Sequence, residues 1–392
     1  MGKKYIEETN AGLIHTYNRF PVVFEKGEGV YLYDDEGKKY LDFAAGIAVC
    51  GLGYGNKKLT DALKKQVDSL MHTSNLYYNT TCGKAAGLLR KASGMDKVFF
   101  TNSGTEAIEG VLKAARKYAW KKGTGRYEFI AMENSFHGRS MGAVSVTGTE
   151  SYRTPFEPLI GGVKFAEFNN LDSVKELVSD KTCAIIMEPI QGEGGINLAE
   201  PEFLEGVRKL CDEEGILLIF DEIQCGMARS GAMFAWQKYG VKPDLMAMAK
   251  GIGSGVPVGA FAMTDEVAEF SLEPGDHGST YGGNPLACAA VAATLEVYEE
   301  ENLVAHVNEV GLYLREQLLK LQKECEGLCE VKGTGLIQGI KVSKPAGEVS
   351  SLALKEGLVL ISAKGNVMRI VPPVVLEKEH VDEFISILKK IL

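Results

Sequence analysis

The hydrophobic positions follow two regimes along the chain. Between about residues 97 and 249, short continuous apolar runs alternate with longer segments of helical spacing. Lys97–Thr101 (KVFFT), Glu128–Met132 (EFIAM), Cys183–Met187 (CAIIM), Ile216–Phe220 (ILLIF) and Asp244–Ala249 (DLMAMA) read as strands, and helices are predicted over Thr105–Trp120 and Pro201–Glu214. Strands that are apolar at nearly every position and separated by helices predict a mostly parallel sheet with helices on both faces. Residues 9–45 read differently. Val22–Phe24, Val30–Tyr33 and Lys39–Phe43 are short strands with turns at Lys26–Gly29 and Asp34–Gly37, which predicts an antiparallel meander. From about 290, helical spacing over Leu295–Gln322 precedes strands at Gly335–Val342 and Val367–Val371 and a last helix at His380–Leu392. The expected organisation is a large α/β domain over 55–290 and a smaller α+β domain built from the two chain ends, 1–54 and 291–392.

Composition narrows the function classes. The chain has 392 residues, 45% hydrophobic and 24% charged, with net charge −9 and no run of five like charges. That balance argues against nucleic acid or an anionic membrane as the main partner. No apolar stretch approaches the roughly 18 residues of a membrane span, and Met1–Asn10 carries Lys3 and Lys4 with no apolar segment behind them, unlike a secretory signal. The eight cysteines (50, 82, 183, 211, 225, 288, 325, 329) are scattered without a Cys-x-x-Cys pair. They read as reduced thiols of a cytoplasmic protein. The 45 glycines cluster in short groups, such as Gly192–Gly195, Gly251–Gly259 and Gly282–Gly283, where a backbone would approach something closely.

Three features carry chemistry. Lys250, in MAMAKGIGSG, follows an apolar run and precedes a glycine group, and a strand end of such a sheet opens into a crevice. A desolvated lysine there loses its proton more readily and becomes a nucleophile for carbonyl carbons. Asp221, in ILLIFDEIQCG, ends another apolar run, and a buried carboxylate there requires a cationic partner. Thr101–Glu106 (TNSGTE) joins a strand to a helix and offers Ser103, Gly104 and Thr105 at the helix N-terminus, where backbone amides and the helix dipole favour a phosphate. Taken singly, each feature also has a plain structural explanation: a snorkelling lysine, an ion-paired acid, a helix cap. Together they are the parts needed to hold pyridoxal 5'-phosphate. Two unit charges about 4 Å apart gain roughly 4 kcal/mol at an effective dielectric of about 20, enough for the acid to keep a pyridine nitrogen protonated.

At these residues the sequence resembles the class III (ornithine-type) aminotransferases of fold type I. The resemblance runs from Thr16 to about Pro373 and includes SNLYYN, FFTNSGTEAIEG, SFHGRS, IIMEPIQGEGGI, LLIFDEIQCGM, MAKGIGSGVPVGA and PGDHGSTYGGNPLACAA. It implies that Lys250 binds the cofactor covalently and shuttles a proton, that Asp221 pairs with the ring nitrogen, and that Gln224 bonds the ring's phenolic oxygen. It further implies phosphate contacts from Ser103, Gly104 and Thr105, and stacking of Phe136 on the ring. Thr280, with Ser279 beside the substrate, is expected to reach the phosphate of the other subunit's cofactor, which requires a homodimer with shared sites. Arg139 resembles the family's carboxylate-binding arginine, suited by its planar fork to a two-point grip. Arg369 resembles the arginine for the α-carboxylate of glutamate or 2-oxoglutarate, with Glu193 pairing it until the acceptor arrives. Phe136-His137 is closer to members acting on N2-acetylornithine than to those acting on ornithine, where a Trp commonly follows the aromatic. Ornithine, N2-succinylornithine and 4-aminobutyrate stay open as donors.

Other motifs point elsewhere or nowhere. Gly138–Gly142 (GRSMG) fits the G-x-S-x-G pattern of serine hydrolases, which makes Ser140 an alternative nucleophile, but the candidate strand ends at Met132, several residues early. No G-x-G-x-x-G or G-K-[ST] occurs, and the six histidines lack metal-ligand spacing. A non-catalytic binding protein on the same fold is a third possibility. The chain departs from the family pattern at Ala228 and Ser230, where Gly and Thr are usual, and at Ser140, where Thr is common. Ala228 would matter if that position needs a positive φ.

Overall fold

The structure, a computed structural model, describes residues 2–392. Its centre is a seven-stranded sheet of β1 (Lys97–Thr101), β2 (Glu128–Met132), β3 (Val163–Ala166), β4 (Thr182–Met187), β5 (Leu217–Asp221), β6 (Leu245–Met248) and β7 (Gly259–Met263), in spatial order β1-β7-β6-β5-β4-β2-β3. The pairs β2–β3, β2–β4, β4–β5 and β5–β6 are parallel, whereas β7 runs antiparallel to both β6 and β1. The sheet is thus mostly parallel, as the run pattern predicts, with one reversed strand that the pattern does not reveal.

The continuous apolar runs have a direct cause. Along β2, β4 and β5, odd and even positions serve opposite faces. Phe129, Ala131, Ala184, Ile186, Leu217 and Ile219 pack with Ala107, Ile108, Val111 and Ala115 of the helix Gly104–Lys121. Their neighbours Ile130, Met132, Ile185, Met187, Leu218 and Phe220 pack with Phe203, Leu204, Val207 and Cys211 of the helix Pro201–Glu214. Both faces are dry, so the period-2 alternation of a half-solvated strand disappears.

The chain ends meet. Phe24–Glu28, Tyr31–Asp34 and Lys39–Asp42 form the expected antiparallel meander, and Leu358–Val359 adds to it in parallel, pairing Leu358 with Leu41. A second four-stranded sheet joins Leu328–Thr334, Ile337–Val342, Val367–Ile370 and Ile361–Ala363. The helical spacing predicted over 295–322 belongs to two helices, Pro285–Glu300 and Leu303–Glu324. They are parted by Asn302, which adopts left-handed backbone (φ 49°), a conformation asparagine tolerates better than most residues. The helices Lys57–Ser69 and Thr80–Ser93 and the strands β3 and β7 have no counterpart in the sequence reading. Among the described residues no helix is long and apolar enough to cross a membrane.

Candidate active site

Every chemically marked residue of the central sheet lies at one edge. β1, β2, β4, β5 and β6 all run toward it and end in Thr101, Met132, Met187, Asp221 and Met248; β7, being reversed, starts from it, so Val256–Val258 come to the same place. The loops that follow enclose a cavity of about 420 Å³, lined by Asn102–Thr105, Phe136–Arg139, Glu188, Glu193, Asp221, Gln224, Lys250 and Val256–Val258, among others. Ligands of open α/β sheets bind at this edge because the strand ends and helix N-termini converge there.

Lys250 follows β6 on a backbone with φ 48°, the left-handed region that a side chain with a Cβ occupies only at a cost. Its amine is buried, and burial together with the nearby Arg369 charge lowers its pKa to about 8. A neutral amine is therefore accessible close to neutrality, as nucleophilic chemistry needs. Asp221 is 3% exposed. Its Oδ1 accepts from the Ile223 amide at 3.0 Å and its Oδ2 lies 2.8 Å from His137 Nδ1, while His137 Nε2 is buried without a partner.

Ser103 is the N-cap of the helix Gly104–Lys121, its hydroxyl accepting from the Glu106 amide at 3.4 Å. The plain capping explanation therefore holds for the Ser103 side chain. It leaves the amides of Gly104 and Thr105 in the first helical turn, which has no carbonyl to serve them. Gly138 passes close overhead: a Cβ there would collide with Thr105 Oγ1, and its φ of 143° suits glycine. The residues present fit the expected cofactor, with a buried amine, a buried carboxylate and an anion-seeking helix terminus on three separate loops of one cavity.

Gln224 Oε1 accepts from Arg369 Nη1 at 3.2 Å, and Arg369 Nη2 lies 3.0 Å from Glu193 Oε2. Gly192 lets this assembly close, because a Cβ there would overlap Gln224 Oε1. The structure thus brings Lys250, Asp221, Ser103–Thr105, Phe136, Gln224, Glu193 and Arg139 onto one cavity, with Arg369 directly behind Glu193. Ser279 sits beside it, its hydroxyl accepting from Asn102 Nδ2 at 3.1 Å. Thr280 is exposed and is not part of the lining of its own chain's cavity.

The roles of two residues escape the sequence reading. His137 enters it beside Phe136 as a mark of the donor and among histidines without metal-ligand spacing, and Glu188 only inside the IIMEPIQGEGGI motif with no role given, although Glu188 directly follows the β4 run just as Asp221 ends the β5 run. Glu188 is 5% exposed. Its Oε1 accepts from the Phe136 amide at 2.9 Å and its Oε2 from Gly192 at 3.3 Å; burial raises its pKa to about 7, with Asp221 adding to the rise and His137 opposing it.

The hydrolase alternative finds no machinery. Ser140 caps the short helix Met141–Ser145, donates its hydroxyl proton to Glu109 Oε1 at 2.5 Å and lies 2.8 Å from Thr105 Oγ1. The neighbouring imidazole is committed to Asp221, and the Glu109 oxygen that takes the Ser140 proton also accepts from the Gly142 and Ala143 amides as a helix cap, so the serine–histidine pair of that pattern is missing. The concern over Ala228 is real, since Ala228 adopts φ 62° and Met227 φ 54°. That turn sends Arg229 inward, where its Nη1 donates to Pro372 O at 2.7 Å and Leu336 O at 3.3 Å.

Comparisons with known proteins agree with this geometry. Residues 14–392 match the family model "Aminotransferase class-III". The acetylornithine aminotransferase of Aquifex aeolicus is 48% identical over 381 residues, 97% of this chain and 99% of that one. A solved ornithine aminotransferase from Toxoplasma gondii, described with partial occupancy of PLP at its active site, superposes with TM-score 0.94 at 30% identity, covering 100% of this chain and 94% of that one. The acetylornithine aminotransferase of Elizabethkingia anophelis superposes with TM-score 0.89 at 30% identity, covering 99% and 98%. Enzymes of this class use pyridoxal 5'-phosphate, and with a family match over residues 14–392 and a cavity whose residues fit that cofactor, the chain belongs to the class-III aminotransferases.

Proposed function

We propose that the protein transfers the terminal amino group of N2-acetyl-L-ornithine to 2-oxoglutarate, giving N-acetyl-L-glutamate 5-semialdehyde and L-glutamate, in two half-reactions at one site. The observation that carries this reading is the convergence of Lys250, Asp221 and the Ser103–Thr105 helix terminus on one cavity, joined by two arginines in different settings. When bound, the cofactor supplies an electron-withdrawing ring that stabilises negative charge on the substrate carbon losing its proton.

The chain's own groups do the rest. Lys250 Nζ, near neutrality in proton affinity, takes the proton from the donor's terminal carbon and returns one to the acceptor's. Asp221, oriented by His137 and the Ile223 amide, would set its charge against the cofactor's ring nitrogen. The Gly104 and Thr105 amides would hold the phosphate, Phe136 would cover the ring and Gln224 would meet the phenolic oxygen. Arg139 grips the donor's α-carboxylate. Glu193 neutralises Arg369 while the donor is bound and turns aside when 2-oxoglutarate brings a second carboxylate. Part of this reading is a homodimer in which the exposed Thr280 reaches the phosphate held in the partner's cavity, with Ser279 beside the substrate. It is supported by a cluster of exposed apolar residues on the loop at 70–78, where Leu76, Tyr77 and Tyr78 are 88%, 71% and 106% exposed. The division of the chain near residues 54 and 291, and a cytoplasmic location, belong to the same reading.

A panel of amino donors with 2-oxoglutarate as acceptor tests the assignment. N2-acetylornithine is expected to give the highest kcat/KM, with ornithine, N2-succinylornithine and 4-aminobutyrate below it. Faster turnover of free ornithine than of its acetylated form would overturn the choice of donor.

A further inference from the structure

Glu188 is a buried carboxylate to which the two half-reactions give no task. Both of its oxygens are spent on main-chain amides, Oε1 on Phe136 at 2.9 Å and Oε2 on Gly192 at 3.3 Å. Those amides belong to two separate walls of the cavity. One is the segment 136–139 after β2, and the other is the turn 192–196, between the paired strands Ile190–Gln191 and Asn197–Leu198, which carries Glu193. One carboxylate clasps both walls. A side-chain amide of the same shape offers a single acceptor, so it would face one of the two N–H groups with another N–H.

The turn is held elsewhere as well. Glu193 O accepts from the Lys364 amide at 3.0 Å, Gly192 O from the Gly195 amide at 3.5 Å, and Gly194 O from Asn197 Nδ2 at 3.0 Å. A Cβ at Gly194 would press on the Asn134 carbonyl, and one at Gly195 on the Lys364 carbonyl. The main chain around Glu193 is therefore fixed from several sides, while its side chain is 33% exposed where it meets Arg369. A gate in this place moves by turning side-chain bonds and not by opening the hairpin.

We propose that Glu188 is a positioning residue for the exchange of substrates: its carboxylate locks the turn 192–196 to the Phe136 segment, so that the Glu193 carboxylate starts each cycle on Arg369. The proposal rests on the reading of Glu193 as the group that neutralises Arg369 until a dicarboxylate arrives.

The test is a mutant cycle on the cofactor-loaded enzyme. Glu188→Gln keeps the volume and breaks one arm of the clasp, whereas Glu188→Asp keeps the charge on a stem too short to reach both amides. Each is expected to let Glu193 leave Arg369 more readily. The ratio of acceptor KM to donor KM is then expected to fall about two- to fivefold, up to the full worth of a partly exposed ion pair. In a Glu193→Gln background neither variant is expected to move that ratio further. Amide hydrogen exchange, which needs no turnover, is expected to quicken at Phe136 and Gly192 in both variants and to stay unchanged at Ile185 within β4. Should Glu188→Gln not fold, Glu188→Asp carries the cycle alone. A ratio unmoved in both variants, or a shift that persists without Glu193, would overturn the proposal. So would a Glu188→Asp variant that behaves as the unaltered enzyme, because the charge of Glu188 and not its reach would then be what matters. An unmoved ratio in Glu193→Gln alone, with exchange at Gly192 still quickened by Glu188→Gln, would instead overturn the reading of Glu193.

Discussion

The two arginines at the cavity stand in opposite conditions. Arg139 is exposed, stacked over aromatic rings and unpaired among the described residues. Arg369 is 3% exposed, bonded to Glu193, Gln224 and the Ser362 carbonyl, and keeps a buried Nε without a partner. The contrast follows from solvation. A cation near water needs no counter-ion and can wait for a substrate, whereas a buried one is costly until something neutralises it. Glu193 is that substitute, and at 33% side-chain exposure it sits close enough to solvent to leave. Burial thereby sets which carboxylate clamp is open first.

The sharpest way to break this comparison is to remove each arginine in turn. Arg369→Ala is expected to cost the acceptor half-reaction about 3–5 kcal/mol, the scale of breaking a buried ion pair, as read from the acceptor's kcat/KM. Equal damage to both half-reactions would show that the two clamps are not separate. Next in size is a pH effect. Lys250 binds its proton more weakly in the fold, at about 8, than in the unfolded chain, near 10.5. Below about pH 8 both states are protonated and the folded state bears the whole cost. The cost fades as pH rises from 8 to 10.5, so stability increases across that window. The cofactor-free protein is therefore expected to gain about 3 kcal/mol relative to Lys250→Met between those limits, measured by denaturant unfolding. Because Arg369 is among the charges depressing that amine, Arg369→Ala is expected to narrow the window and Arg139→Ala to leave it in place.

Arg139→Lys keeps the charge but loses the two-point grip, and donor binding is expected to weaken by about 1.5–3 kcal/mol. Glu193→Gln leaves Arg369 without its anion. It is expected to favour dicarboxylate over donor binding by about 1 kcal/mol, the scale of a partly exposed ion pair, read as a shift in the ratio of acceptor KM to donor KM. The smallest effect is expected at Ala228, which does not line the cavity. Ala228→Gly relieves a left-handed backbone but removes a buried methyl, and these offset to within about 0.5 kcal/mol in thermal unfolding.

Legibility in the sequence is uneven for physical reasons. The runs KVFFT, EFIAM, CAIIM, ILLIF and DLMAMA become β1, β2, β4, β5 and β6 because burial on both faces leaves a local imprint. β3 and β7 escape notice: VKFA is short and carries a lysine, and GAFAM is dominated by small residues, so neither stands out from a loop. Asp221 and Lys250 can be found because polar residues ending apolar runs are conspicuous. Glu188 meets the same criterion and could have been found with it. His137 cannot be read as an Asp221 partner, since 84 residues separate them. Ser140 misleads because G-x-S-x-G records composition and not the strand end that gives the motif meaning.

What the sequence determined by itself is the alternation of strands and helices, the polar residues at strand ends and the helix terminus at Ser103–Thr105, all of which depend on neighbours a few positions away. The tertiary structure alone decided the reversal of β7, the pairing of Arg369 with Glu193, the seat of Arg139 on Tyr152 and the placing of Thr280 outside its own cavity. Those depend on which distant segments the chain path brings together. Solvation and charge pairing are set by that proximity, which leaves no periodic trace along the chain.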